Sequence, residues 1–443
     1  MVSINNKKIV KFGGTSLASA EQFKKVGDII FADTSRRFVV PSAPGKRYPS
    51  DIKVTDMLIE CQSLSASGDD FLPVLNKIKE RFEQIREQLN LNITLEHEFK
   101  TIENNLKNGC TRDYMASRGE YLNGILLANF LGYEFVDAAE IIFFTENGLF
   151  DAEKTNKIAS ERLNSLKNAV IPGFYGALPN GEVKTFSRGG SDVTGAIIAR
   201  AVMADVYENW TDVSGFLMCD PRIVENPRAI KSITYRELRE LSYMGAGVLH
   251  EDSIFPVKQA GIPINIKNTN APDDEGTYIL PTALKDEKKN RITGIAGHKG
   301  FAVLHIEKDM MNQEIGFGLK VLEVLNKLNM SFEHFPSGID TMSIIINEKF
   351  IEGNEKILLS EISKAVNPDN ISIETGLALI AVVGRGMIKY PGTAAKIFTS
   401  IANSDINIRM IDQGSSELNI IIGVDEKDFE KAIKAIYNEF VPA

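Results

Sequence analysis

Short apolar runs alternate with helical stripes over the first two-thirds of the chain. Lys8–Phe12, Phe38–Ser42, Ala169–Phe174, Val206–Trp210 and Pro263–Lys267 are short and largely apolar, which predicts strands. Phe71–Asn90, Phe99–Lys107 and Arg112–Leu131 carry apolar residues at helical spacing. Strands that alternate with helices predict an α/β sandwich around a mainly parallel sheet. Residues 268–290 are polar and rich in turn formers, which marks a passage between domains.

The last third repeats itself. An offset of 76 residues pairs Gly316 with Gly392, Lys320 with Lys396, and Gly338 with Gly414. It also pairs the Ile344-Ile345-Ile346 run with Ile420-Ile421-Ile422. Each copy reads as a turn glycine, an amphipathic helix (Leu319–Asn329; Ala394–Asn403), a strand, a Gly-containing hairpin and an apolar strand. Two β-α-β-β units of this size predict paired ferredoxin-like modules. Duplication accounts for so many matches at one offset better than coincidence does.

Charge and cysteine usage narrow the partners. The 443 residues include 50 Lys and Arg against 59 Asp and Glu, a net charge of −9. Nucleic acid and anionic membranes call for a basic face, so neither is expected as the main partner. A small anion held by a few cations stays open. Cys61, Cys110 and Cys219 are odd in number and form no CxxC pair, so neither a disulfide framework nor a zinc site is expected. His97, His250, His298, His305 and His334 form no HxH or HExxH pattern, and no metal held by protein residues is predicted. With no signal-like start and no run of about 18 apolar residues, a cytoplasmic location is expected.

Two glycine turns carry the candidate chemistry. In Lys11-Phe12-Gly13-Gly14-Thr15-Ser16 a strand ends in two glycines, and the following hydroxyls can cap a helix. Such a turn lets backbone N–H groups approach a phosphate, with Lys11 reaching towards the same place. It is not a Walker A loop, because no GxxxxGK[ST] pattern occurs. Ser187-Arg188-Gly189-Gly190-Ser191-Asp192 also leads into a helix, over 192–203. There Arg188 can hold a carboxylate bidentately. Ser117-Arg118-Gly119-Glu120 reads either as a solvated helix face or as a place where Gly119 admits a ligand and Glu120 receives an ammonium group. Trp210-Thr211-Asp212-Val213-Ser214-Gly215, followed by Asp220-Pro221-Arg222, reads as a nucleotide-wrapping loop or a capped turn.

In their order and spacing these motifs resemble the aspartate kinase family. KFGGTS at 11–16, SRGE at 117–120, SRGGSD at 187–192 and WTDVSGFLMCDPR at 210–222 carry the likeness. GMIKYPGTAAKIF at 386–398 and MIDQGSSELNIII at 410–422 resemble the second of that family's paired ACT regulatory modules. The resemblance implies an amino-acid-kinase three-layer sandwich over 1–290, then ACT modules of βαββαβ type over 291–375 and 376–443. It leaves the final strand free to complete the first module. With no homoserine dehydrogenase-like segment in these 443 residues, the monofunctional form is expected.

By that resemblance Lys11, Gly13, Gly14, Thr15 and Ser16 surround the ATP phosphates. Thr211, Asp212, Leu217, Arg222, Gly247 and Val248 meet the nucleotide. Ser42, Thr55, Glu120, Arg188, Gly189 and Gly190 belong to the aspartate site, and Lys11 and Asp192 to the catalytic group. The segment before Thr55 is longer than the usual family loop. Leu217 and Gly247 stand where many members have an aromatic residue and a lysine. ATP with Mg²⁺ is the implied donor, the β-carboxylate of L-aspartate the acceptor, and a homodimer or dimer of dimers the implied assembly. The reaction opens the route to lysine, threonine and methionine, so end-product inhibition is expected.

The first repeat favours lysine as the inhibitor. Backbone N–H groups of the turn Met311–Gly318, including Phe317, can hold an α-carboxylate. Ser331, Glu333, Ser337, Gly338 and Asp340 follow the helix. Two acids there either belong to a solvated strand and hairpin or suit a ligand with two ammonium groups. The second copy has Arg409 and Ser416 at the positions of Glu333 and Asp340. The competing readings are a kinase for glutamate or N-acetylglutamate, and a non-catalytic amino-acid sensor.

Overall fold

The structure, a computed structural model, describes residues 7–187, 189–245, 251–282 and 291–441. The chain divides into two compact units. The first comprises residues 1–216, 229–235 and 248–283; the second comprises 217–228, 236–247 and 284–443. The segments 217–228 and 236–247, placed by sequence within the 1–290 domain, therefore belong to the second unit.

The first unit is built on an eight-stranded sheet. Its strands are β1 (Lys8–Phe12), β2 (Arg36–Pro41), β3 (Glu134–Phe135) and β4 (Ala169–Val170), then, after a small hairpin of β5 (Tyr175–Ala177) and β6 (Val183–Thr185), β7 (Val206–Thr211), β8 (Ser232–Thr234), β9 (Ile264–Asn268) and β10 (Thr277–Leu280). The spatial order is β3-β4-β2-β1-β7-β9-β10-β8, and every pair but β9–β10 is parallel. The predicted strand Ala169–Phe174 stops at Val170; Gly173 is packed on Ser191, and Phe174 takes a positive φ of 84° that turns the chain out of the sheet.

Side-chain alternation on the strands sorts the residues to two helical layers. Val10 and Phe12 of β1 and Trp210 of β7 face the helices Ala20–Phe31, Val54–Ser67, Leu72–Gln88, Glu96–Lys107 and Arg112–Leu131, forming one apolar core. Asn209, of the opposite parity, meets the helix Gly190–Ala201 through Asp192, and so does Lys11. Helices Ala152–Asn164 and Glu251–Ala260 pack against that helix.

The second unit contains an antiparallel five-stranded sheet of β11 (Gly294–Glu307), β12 (Thr341–Asn347), β13 (Asn370–Val383), β14 (Met410–Asp412) and β15 (Asn419–Asp425), ordered β12-β11-β13-β15-β14. The two isoleucine runs lie on β12 and β15. Gly316 and Gly392 both adopt a left-handed φ, 82° and 85°, directly before the helices Phe317–Lys327 and Thr393–Ala402. β11 and β13 pair along their length, so β13 runs straight through residue 375, where the sequence placed the passage between copies. The copies also differ after their helices: β14 in the second corresponds to isolated bridges at His334 and Ser337 in the first.

Candidate active site

The parity of β1 aims Lys11 at the helix Gly190–Ala201. Its Nζ lies 2.6 Å from Asp192 Oδ1, and Asn209 Nδ2 donates to the same oxygen at 2.8 Å. Tyr207 holds the Asp192 backbone carbonyl through its hydroxyl at 3.1 Å. Lys11 is buried, and the Asp192 side chain is 19% exposed. Asn209 is a site residue that sequence reasoning missed. Its signal was an amide in the middle of a buried strand, where only a partnered polar group is tolerated.

Beyond Lys11 the chain turns at Gly13, whose N–H donates to the Trp210 carbonyl at 2.9 Å. A Cβ on Gly14 would sit 2.8 Å from the Ala43 carbonyl oxygen, so close backbone packing requires glycine there. Thr15 is exposed, and its hydroxyl donates to Asp212 Oδ2 at 3.4 Å. Thr211 donates to Asp212 Oδ1 at 3.2 Å. These contacts bring the turn and the Thr211-Asp212 strand end together.

Ser16 is a correction. The short turn Gly14–Leu17 rotates it inwards, where it is buried and its hydroxyl lies 2.8 Å from that of Thr269. Ser19, not Thr15 or Ser16, caps the helix Ala20–Phe31.

Glu120 lies on the helix Arg112–Leu131, which Thr111 caps and Gly132 ends. The side chain is 6% exposed, and its Oε2 has no hydrogen-bond partner among the described residues. Burial pushes its carboxyl pKa up to about 8; the backbone amide of Ala43 and the charges of Arg118 and Lys11 oppose that. Such a group is built to accept a cation or a donor from a ligand. Arg118 instead lies over the rings of Tyr114 and Tyr121, 4.6 and 4.4 Å from their centroids. Gly119 admits the protein rather than a ligand: a Cβ there would lie 2.7 Å from that of Ala43.

Ser42 continues β2 towards this helix, donating its N–H to Phe12 and accepting from Asn123 Nδ2 at 2.7 Å. Thr55 sits half-buried in the first turn of the helix Val54–Ser67. Gly189 takes a left-handed φ of 56° before its helix, and Gly190 packs on Phe174. Arg188, Gly247 and Val248 lie outside the described residues. Leu217 and Arg222 belong to the second unit, where Arg222 forks onto Asp220 at 2.6–3.0 Å. No group of three potential ligands for a metal ion occurs among the described residues.

In the second unit the predicted effector residues are spread between core and surface. Met311 and Phe317 are buried in an apolar cluster, and their N–H groups already donate to Lys308 and Glu314. Those two amides are therefore not available to a ligand carboxylate. Gly318 packs beside Phe335, and Gly338 closes the hairpin through its N–H to the Thr341 carbonyl at 2.7 Å. Ser331, Ser337 and Asp340 are exposed, and Asp340 accepts from the Met310 N–H at 2.9 Å. Glu333 accepts from the Tyr243 hydroxyl, which pushes the tyrosine pKa up to about 12.

The fold, the Gly-Gly turn and the paired Lys11 and Asp192 define the class. Residues 6–268 match the model of the amino acid kinase family, and residues 380–440 match an ACT domain. The chain belongs to the amino acid kinase family. It is 38% identical to aspartokinase 3 of Bacillus subtilis, over 98% of each chain. The crystal structure of Clostridium acetobutylicum aspartate kinase is 53% identical, covers 98% of this chain and 99% of its own, and superposes with a TM-score of 0.91. Aspartokinase III of E. coli, at 24% identity and a TM-score of 0.73 over 98% of this chain, shares the fold. Within the family the chain therefore falls among the aspartate kinases that carry an ACT region.

Proposed function

We propose that the chain transfers the γ-phosphoryl group of ATP to the β-carboxylate of L-aspartate, giving 4-phospho-L-aspartate, and that lysine restrains it through the first repeat. The observation that carries the first part is the buried, half-unpartnered carboxylate of Glu120 in the unit that holds the Lys11–Asp192 pair. Glutamate kinase chemistry would use the same turn. N-acetylglutamate has no ammonium group and would leave Glu120 unmatched.

The acceptor carboxylate is ionised at neutral pH and needs no general base. One of its oxygens bonds to the γ-phosphorus as the bond to the β,γ-bridging oxygen breaks, and ADP leaves. The task is to bring two anions into line and to offset charge on the transferring group. Lys11 serves that charge, and Asp192, itself held by Asn209, keeps its ammonium in place. The N–H groups of the Gly13-Gly14 turn add further donors. Glu120 takes the α-ammonium and Arg188 the α-carboxylate, which sets the direction of the β-carboxylate. Asp192 and Asp212 are the carboxylates that would hold Mg²⁺ beside the phosphates, and the ion would supply further positive charge there.

Lysine remains the effector of choice because Glu333 and Asp340 lie in the first repeat and the second has no matching acid. The test is a pair of variants. Glu120→Ala and Arg188→Ala should each raise the aspartate KM strongly, by roughly 2–5 kcal/mol of lost pairing, and leave the ATP KM nearly unchanged. A rise in the ATP KM alone would assign both residues to the wrong ligand.

A further inference from the structure

The loop between β2 and the helix Val54–Ser67 is held by an arginine that is not among the residues of the candidate active site. Arg81 lies on the helix Leu72–Gln88 and is 4% exposed. Its guanidinium donates to the Gly45 carbonyl and, at 3.0 Å, to the Ile52 carbonyl, so it grips the loop near both ends. It also lies 3.5 Å from Asp51, which Arg47 holds independently at 2.8 Å. Its Nε has no partner among the described residues. A cation so buried is costly unless its remaining donors are well used.

The loop it grips touches both halves of the proposed site. The Gly45 N–H donates to the Gly14 carbonyl at 2.8 Å, and a Cβ on Gly45 would fall 2.5 Å from Gly14. Ala43 packs on Gly119 and offers its amide to Glu120. Lys11 of β1 and Asp192 of the helix Gly190–Ala201, by contrast, pair with each other, and Asn209 of β7 holds Asp192.

We propose that Arg81 is a positioning residue, a strap that presses the 43–52 loop onto the Gly14 turn and beneath Glu120 and so shapes the aspartate side of the site. The proposal rests on the reading of Glu120 as the ammonium partner. It predicts a loss of aspartate affinity with the Lys11–Asp192 pair intact.

The test is Arg81→Met and Arg81→Lys in the full-length enzyme, with kcat and both KM values measured. Arg81→Met should raise the aspartate KM about tenfold and lower kcat less than about threefold, as expected when charged hydrogen bonds that order a binding loop are lost. Arg81→Lys, whose single head reaches one carbonyl, should fall between it and wild type. Hydrogen exchange of amides 43–53 should quicken in both variants, with β1 unchanged. A purely architectural role would lower the active fraction, and hence apparent kcat, at constant KM. An unchanged aspartate KM in Arg81→Met overturns the proposal. If Arg81→Met does not fold, Arg81→Lys decides by the same criterion. Failure of wild-type enzyme to use aspartate would instead sink the underlying reading of the site.

Discussion

Replacing Glu120 by glutamine should make the ligand-free protein more stable, and increasingly so as pH rises. The wild-type carboxyl has a folded pKa of about 8 against an ordinary 4.5, because it is buried. Below pH 4.5 both folded and unfolded chains carry the proton, and the stabilising excess is fully present. Between 4.5 and 8 the unfolded chain releases the proton and the folded chain keeps it, so folding loses about 1.4 kcal/mol per pH unit. From about pH 5 to about pH 7.5 the Glu120→Gln variant should therefore gain about 3 kcal/mol on wild type, a relative rise in Tm of roughly 6 °C for a unit of this size. The assay is thermal unfolding of both proteins without ligand across that range. Binding provides a second readout: an ammonium group beside Glu120 drives its proton off. Calorimetry at neutral pH in buffers of different ionisation enthalpy should show close to one proton released per aspartate by wild type and none by Glu120→Gln. A pH-independent difference in Tm, together with no proton release, would refute the reasoning.

Lys11→Ala should lower kcat about a hundredfold, near 3 kcal/mol of transition-state stabilisation, as measured by coupled ADP release. Gly119→Ala would force a methyl group into Ala43 and should cost roughly 1–3 kcal/mol in thermal unfolding while raising the aspartate KM. Glu333→Ala should raise the lysine concentration for half-inhibition by at least about tenfold, since a charged partner is lost. Titration with lysine, threonine and methionine, singly and in pairs, checks the effector; inhibition by threonine alone would defeat the two-acid argument.

Where local chemistry decides structure, the sequence was readable. Thr111 and Gly132 bound the long helix, and its predicted limits, Arg112–Leu131, match the structure. The 76-residue repeat located both positive-φ glycines and both isoleucine strands. What failed depended on neighbours distant in sequence. Ser16 was read as facing phosphate, yet a short turn hides it against Thr269, 253 positions away. Gly119 was open between a solvated helix face and room for a ligand, and the space beside it is taken by Ala43. Arg81 sits in a strongly charged helix, KIKERFEQIREQ, where periodicity cannot separate one buried arginine from a solvated face. The threading of 217–228 and 236–247 into the second unit leaves no mark on local hydrophobic pattern at all.

The most direct test of the central claim is a hydroxylamine trap. Wild-type enzyme is incubated with ATP, Mg²⁺ and hydroxylamine together with aspartate, glutamate or N-acetylglutamate, and the hydroxamate formed is quantified. Acyl phosphate made on aspartate's β-carboxylate predicts β-aspartyl hydroxamate in step with ADP release, with little from the other two acids. Equal or greater yield from glutamate or N-acetylglutamate, or ADP release without hydroxamate, would contradict the account.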